Sequence, residues 1–105
     1  MQLWRAGTLL GHVPHPAPDR WDPTTQTGAF EPAEAWGEVA ALFAAEVLHL
    51  QWADRDAACW DAWRAAADAA QGPGVEARED DGTTRPVFLR VSDGRAEVRV
   101  RPVAG

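Results

Sequence analysis

The stretch PVFLRVSDGRAEVRV, residues 86–100, predicts a β-hairpin. Asp93-Gly94 is a two-residue turn of the kind whose twist matches that of the strands it joins. Counting outward from the turn collects apolar residues on one face, which we expect to be the core face: Val87, Leu89, Val91, Ala96, Val98 and Val100. The opposite face meets water or a partner, and it carries Phe88, Arg90, Glu97 and Arg99, with Arg101 close by.

A helical region precedes this hairpin at residues 32–71. Glu31-Pro32 is expected to open it, because proline is tolerated in a first helical turn. Apolar residues recur at helical spacing along one stripe, made of Trp36, Val39, Phe43, Val47, Leu50, Ala53, Ala57, Trp60, Trp63, Ala67 and Ala70. A single helix of this length would be about 60 Å long. We therefore expect two helices with a break near Asp54, whose side chain would cap the second.

Shorter elements complete the pattern. Residues 2–13 read as two strands with a turn at Ala6-Gly7, and Gly11 indicates a bulge or a close backbone approach. A proline-rich loop follows at residues 14–23, a short strand is expected at 24–30, and a further one at 75–78. The sequence predicts a single α+β domain over residues 1–105, with the C-terminal hairpin at 86–103. Its small antiparallel sheet would have four to five strands, from the N-terminal and C-terminal hairpins, with two helices packed on one face.

Composition favours a small acidic protein of a reducing compartment. The formal net charge is −6, with four arginines and ten acidic residues up to Gly72 and six of each after it. One cysteine, Cys59, excludes an internal disulfide, and neither a signal peptide nor a membrane span is expected, so the expected location is the cytoplasm. Lysine, isoleucine, asparagine and tyrosine are absent, which indicates a GC-rich bacterial or phage genome.

Six tryptophans stand out in 105 residues. Those on the helical stripe are expected in the core, whereas Trp52 lies off it and Trp21 lies in the proline-rich loop. Exposed tryptophan is a frequent interface anchor, although Trp21 could equally fix its own loop. The predicted partner-binding residues are Trp21, Trp52, Phe88, Arg90, Arg99 and Arg101.

The sequence contains few residues in arrangements that favour a catalytic or metal-binding site. His12 and His15, with Asp19 and Asp22, are the only metal-like cluster, but they lie on an irregular segment without helical ligand spacing. Cys59 sits in an alanine-rich helix, and Ser92 sits in a hairpin turn without a neighbouring base. We expect no catalytic residue, metal or cofactor.

These features predict a non-catalytic interaction protein: an immunity, antitoxin or inhibitor-like binding partner, or a homodimeric accessory protein. Its acidic helices, with Glu38, Glu46 and Asp61, would steer it toward a basic partner. The alternative is a single-stranded nucleic-acid binder that stacks bases on Phe88 among arginines. The acidic net charge disfavours this alternative, since phosphate contacts dominate affinity for nucleic acid.

Overall fold

The computed structural model describes residues 1–101, which form an α+β fold with an antiparallel sheet and two helices. The helices are α1 (Trp36–Leu50) and α2 (Ala57–Gln71). The strands are β1 (Gln2–Arg5), β2 (Thr8–His12), β3 (Ala17–Pro18), β4 (Thr25–Ala29), β5 (Glu31–Pro32), β6 (Val75–Arg78), β7 (Thr84–Ser92) and β8 (Arg95–Val100). The predicted fold class is confirmed. The sheet has eight strands within these residues, more than the four to five predicted, because β4 and β6 both pair beside the two hairpins and two-residue strands also form at Ala17–Pro18 and Glu31–Pro32.

The C-terminal hairpin has the predicted register. Leu89 lies opposite Val98, Phe88 opposite Arg99, and Ser92 and Arg95 flank the turn. Asp93 and Gly94 both have positive φ, as this turn requires. Residues 102 and 103, which were expected to extend the hairpin, lie outside the described residues.

The sheet curls back on itself around Phe30. The strand order is β3-β4-β8-β7-β6-β1-β2-β5, and Phe30 alone separates β4 from β5. The amide of Phe30 donates to Gly94 beside β8, whereas its neighbour Glu31 pairs with β2, at the other end of the sheet. The backbone N–H and C=O groups of successive residues in a strand point alternately to its two hydrogen-bonding edges. One bent segment therefore joins both ends of the sheet into a nearly closed barrel.

Gly11 permits this closure. A Cβ atom at Gly11 would collide with the Glu31 carbonyl oxygen and with the Phe30 ring, so only glycine lets β5 lie this close to β2. The predicted bulge is present as well, as a register shift between Leu3 and Trp4 where β1 pairs with β2.

The core fills the inside of the curled sheet and extends to α1. Its members share nearly complete burial, and they include Leu3, Leu10, Val13, Val75, Ala77, Val87, Leu89, Ala96 and Val98. From α1, Phe43 enters this core and is 1% exposed. The centre of the Trp36 ring lies 4.9 Å from the ring centres of Phe30 and Phe43. These aromatic contacts pack α1 against the bend at Phe30, where the sheet closes.

The helices differ from the prediction in four details. Helix α1 begins at Trp36, because Glu31–Pro32 pairs with β2 as a strand instead of opening the helix. The two helices are separate, as expected, but Asp56 caps the second one by accepting a hydrogen bond from the Cys59 amide at 2.8 Å. Helix α1 contacts β7 and β2, whereas α2 packs mainly on α1 and not beside it on the sheet. Three residues of the predicted apolar stripe are exposed instead of buried: Leu50, Ala57 and Trp60. Neither helix within residues 1–101 is long and apolar enough to cross a membrane.

Gln71 replaces a missing strand partner. Strand β6 pairs with β7 only as far as Val75 opposite Val87. Continuing this register would put Pro73 opposite Leu89, and proline has no N–H to donate. The side-chain amide of Gln71 takes the place of a backbone partner for Leu89. Its Nε2 donates to the Leu89 carbonyl at 2.7 Å, and its Oε1 accepts from the Leu89 amide at 3.0 Å.

We predict that Gln71→Ala lowers the free energy of unfolding by about 2–4 kcal/mol, because it leaves a buried N–H and a buried C=O of Leu89 unpaired. Urea denaturation measures the change. Gln51→Ala is the matched control, since Gln51 is exposed and its truncation should cost less than about 0.5 kcal/mol. Equal effects of the two substitutions would show that the Leu89 contacts do not stabilise the fold.

Candidate functional site

A groove lies between the outer face of the β7–β8 hairpin and helix α2. Its volume is about 260 Å³. Apolar groups come from Trp63, Phe88 and Val100, and charged groups come from Arg90, Glu97, Arg99 and Arg101. Side chains alternate across a strand, so the register that buries Val87 and Leu89 directs Phe88 and Arg90 outward into this groove.

A buried carboxylate fixes the inner wall of the groove. Glu46 of α1 is 1% exposed and accepts hydrogen bonds from Arg90 Nε at 2.8 Å and from Arg90 Nη2 at 3.2 Å. The indole Nε1 of Trp63, from α2, donates to the same carboxylate at 2.8 Å. We call these three residues the Glu46 centre. It joins both helices to the hairpin and holds one charged and one aromatic groove residue in place.

Arg99 stands at the opposite wall, where the proline-rich loop meets the sheet. Its Nε donates to Thr25 Oγ1 at 3.3 Å and lies 3.8 Å from Asp22 Oδ2. The Asp22 carboxylate is already hydrogen-bonded by residues that follow it in the sequence. It accepts from the Thr24 amide at 3.0 Å and from Thr25 Oγ1 at 2.8 Å. Hydrogen bonds from Thr24 and then Thr25 lower the pKa of Asp22, to which Arg99 adds a smaller attraction.

Arg101 and Phe88 form the open end of the groove. The guanidinium carbon of Arg101 lies 6.0 Å from the centre of the Phe88 ring, and that of Arg90 lies 5.4 Å from it. The backbone amide of Arg101 donates to the Pro86 carbonyl at 3.0 Å, which continues the hairpin ladder. Phe88 is only half-buried, so its ring is available to a partner.

The structure brings four of the six predicted partner-binding residues into the groove: Phe88, Arg90, Arg99 and Arg101. Trp21 lies outside the lining but one residue from Asp22, on a turn where Asp19 accepts from the amides of Trp21 and Asp22. Its side chain is 83% exposed, so the idea that Trp21 packs its loop onto the domain is wrong.

Trp52 belongs to a different surface. It follows α1, and the Arg55 guanidinium carbon lies 3.9 Å from the centre of its ring. The open depression around it is lined by His49 at the end of α1, by residues of the inter-helix turn and by residues of α2 such as Cys59, and by none of the groove residues.

Three residues that line or support the groove were expected elsewhere. Val100 was expected on the core face of the hairpin, but it is 44% exposed and lines the groove. Trp63 was expected in the core, but it is half-buried and lines the groove. Glu46 was expected on the acidic surface, where its charge would steer a partner; it is buried instead. A signal existed, because Glu46 follows Val39 by seven residues and Phe43 by three, which is the spacing of the face that packs on the core.

The remaining chemistry-bearing residues hold local structure. His12 Nε2 lies 2.9 Å from a Glu31 carboxylate oxygen, across the β2–β5 pair. A hydrogen bond with Asp56, together with partial burial, raises the pKa of Cys59, which keeps the thiol protonated. In the part of the chain that the structure describes, no three metal-ligating side chains lie close enough together to hold a metal ion.

No protein-family model matches this chain, and no curated protein or solved structure is significantly similar to it.

We predict that Glu46→Ala lowers the free energy of unfolding by about 2–4 kcal/mol, because it leaves the mostly buried Arg90 guanidinium and the Trp63 indole without their acceptor. Glu38→Ala, on the exposed face of the same helix, is the control and should change stability by less than about 0.5 kcal/mol. Urea denaturation followed by tryptophan fluorescence measures both. A Glu46→Ala protein as stable as the control would contradict the structural role of the Glu46 centre.

Proposed function

We propose that this chain is a small non-catalytic interaction protein that binds a protein partner through the groove of the β7–β8 hairpin. The observation that carries this proposal is the exposure of aromatic rings and arginines together on one rigid surface. Trp63, Phe88, Arg99 and Arg101 share that surface. Aromatic residues and arginine are the types most enriched at the energetic centres of protein interfaces.

The rigidity of the surface supports the same proposal. Phe88 and Arg99 are a cross-strand pair of a regular hairpin, and Trp63 is held by a hydrogen bond to the Glu46 carboxylate. A surface whose strands and Trp63 ring are already fixed loses less conformational entropy when it binds than a surface that must first become ordered. Trp60 extends the apolar area beyond the groove, since its ring centre lies 5.0 Å from that of Trp63 and it is 47% exposed.

The exposed acidic side chains of the two helices lie outside the groove lining. Glu38 and Asp61 are exposed on the two helices, whereas the groove contributes arginines from the hairpin. A partner could be drawn by either surface. The groove is favoured because it combines charge with exposed aromatic area, and charge alone mainly changes the association rate.

Matched charge reversals separate the two surfaces. The tagged protein is used to capture partners from lysate of its host, beside an Arg99→Glu/Arg101→Glu variant and a Glu38→Arg/Asp61→Arg variant. We expect a specific partner to be captured by the unmodified protein and the helix variant and lost from the groove variant. Retention by the groove variant with loss from the helix variant would contradict the proposed site. Light scattering coupled to size exclusion tests whether the partner is a second copy, as a homodimeric accessory protein would require.

Single-stranded nucleic acid is the second candidate, favoured by the position of Phe88 between the guanidinium groups of Arg90 and Arg101. Against it, Glu97 lines the same groove and would repel phosphates. Titration of a labelled twelve-nucleotide oligothymidine at low salt measures whether the protein binds single-stranded nucleic acid. Binding abolished by Phe88→Ala and Arg99→Ala would favour this candidate, and no binding by the unmodified protein would exclude it.

A further inference from the structure

We propose that the groove recognises an extended peptide segment that carries a carboxylate beside an apolar side chain. The apolar side chain would lie between Phe88 and Trp63, and the carboxylate would bind Arg99 and Arg101. This inference rests on the proposed function and specifies the chemistry of its partner.

The size of the groove limits the occupant. At about 260 Å³ it lies below the roughly 300–1,000 Å³ that is typical of pockets for small molecules and cofactors. Its floor is apolar, from Phe88, Trp63 and Val100. These dimensions suit one apolar side chain of a longer segment that continues across the hairpin surface.

The arginines of the groove are not equivalent. The Arg90 side chain is 19% exposed, and its guanidinium binds Glu46 and lies 3.6 Å from a Glu97 carboxylate oxygen. Within residues 1–101, the terminal nitrogens of Arg99 and the whole guanidinium of Arg101 form no hydrogen bond, and the Arg99 side chain is 60% exposed. Guanidinium groups bind carboxylates through paired, geometrically specific hydrogen bonds. Arg99 and Arg101 are therefore the anion-binding residues, and Arg90 is a positioning residue.

Glu97 favours a peptide over a polyanion. It lies across the hairpin from Arg90, and its side chain is 53% exposed and lines the same groove as the arginines. A phosphate backbone would place negative charge along the whole groove and would meet this carboxylate. A peptide segment has one local carboxylate for the arginines and backbone N–H donors for Glu97, so its charges complement both signs.

Selection from a peptide library tests the inference. A random dodecapeptide library displayed on phage is panned against the unmodified protein without counter-selection. We expect the enriched sequences to carry Asp or Glu within a few residues of a large apolar residue. Enrichment of basic or uncharged sequences, or no enrichment at all, would overturn the inference.

Charge reversals then locate the binding site of a synthetic enriched peptide. Arg99→Glu/Arg101→Glu should weaken its binding at least about tenfold, and circular dichroism confirms that the variant is folded. Arg64→Glu/Arg85→Glu is the matched control, because it changes the net charge equally at exposed residues outside the groove lining. A peptide whose acidic residue is replaced by Lys should regain affinity for the groove variant. Equal losses from both variants would contradict a local contact and overturn the inference.

The two proposals can fail separately. A captured protein partner that depends on the groove, together with enriched peptides that lack acidic residues, would overturn the peptide chemistry and leave the proposed function standing. Displacement of the acidic peptide by oligothymidine would assign the groove to nucleic acid and overturn both. Displacement by unlabelled protein, with a dimer seen by light scattering, would identify an acidic segment of a second copy as the occupant.

Discussion

The Glu46 carboxylate is the contact on which the arrangement of the helices and the hairpin depends. It joins three elements that are distant in sequence, since it accepts hydrogen bonds from Arg90 of β7 and from Trp63 of α2 while it lies on α1. A carboxylate this deeply buried is costly unless its oxygens are fully hydrogen-bonded. The fold therefore tolerates Glu46 only in the position where both donors reach it, which gives the helical pair one orientation on the sheet and the groove one shape.

Closure of the sheet supplies the stable body that carries this centre. The segment around Phe30 pairs with β8 on one edge and with β2 on the other, and Gly11 allows the close approach. Where β6 ends too early to pair with Leu89, the Gln71 side chain completes the ladder. On the outer face of the hairpin, Arg90 is bonded to the buried Glu46, whereas Phe88, Arg99 and Arg101 remain at the surface and line the groove that we propose as the binding site.

Local sequence patterns predicted the elements well and their assembly poorly. Alternation around Asp93-Gly94 fixed the hairpin register and placed Phe88, Arg90 and Arg99 on the outer face, because turn chemistry and pleating are local. The closure through Phe30 depends on a contact between distant strands. Gly11 indicated a close backbone approach, but no local pattern shows which segment approaches it. Pro32 illustrates the same limit: it suits a helix start, but pairing of Glu31–Pro32 with β2 delays α1 to Trp36. Glu46 was misassigned because its charge was weighed above its spacing.

A double-mutant cycle on Glu46 and Arg90 tests most directly whether the Glu46 centre joins helix α1 to the hairpin. The free energies of unfolding of the unmodified protein, Glu46→Ala, Arg90→Ala and the double variant are measured under identical conditions. The structure predicts a coupling energy of at least about 1 kcal/mol, because each single substitution leaves the other charge buried without its partner. Additive effects, within about 0.5 kcal/mol, would show that the two residues do not interact and would contradict this account of the groove.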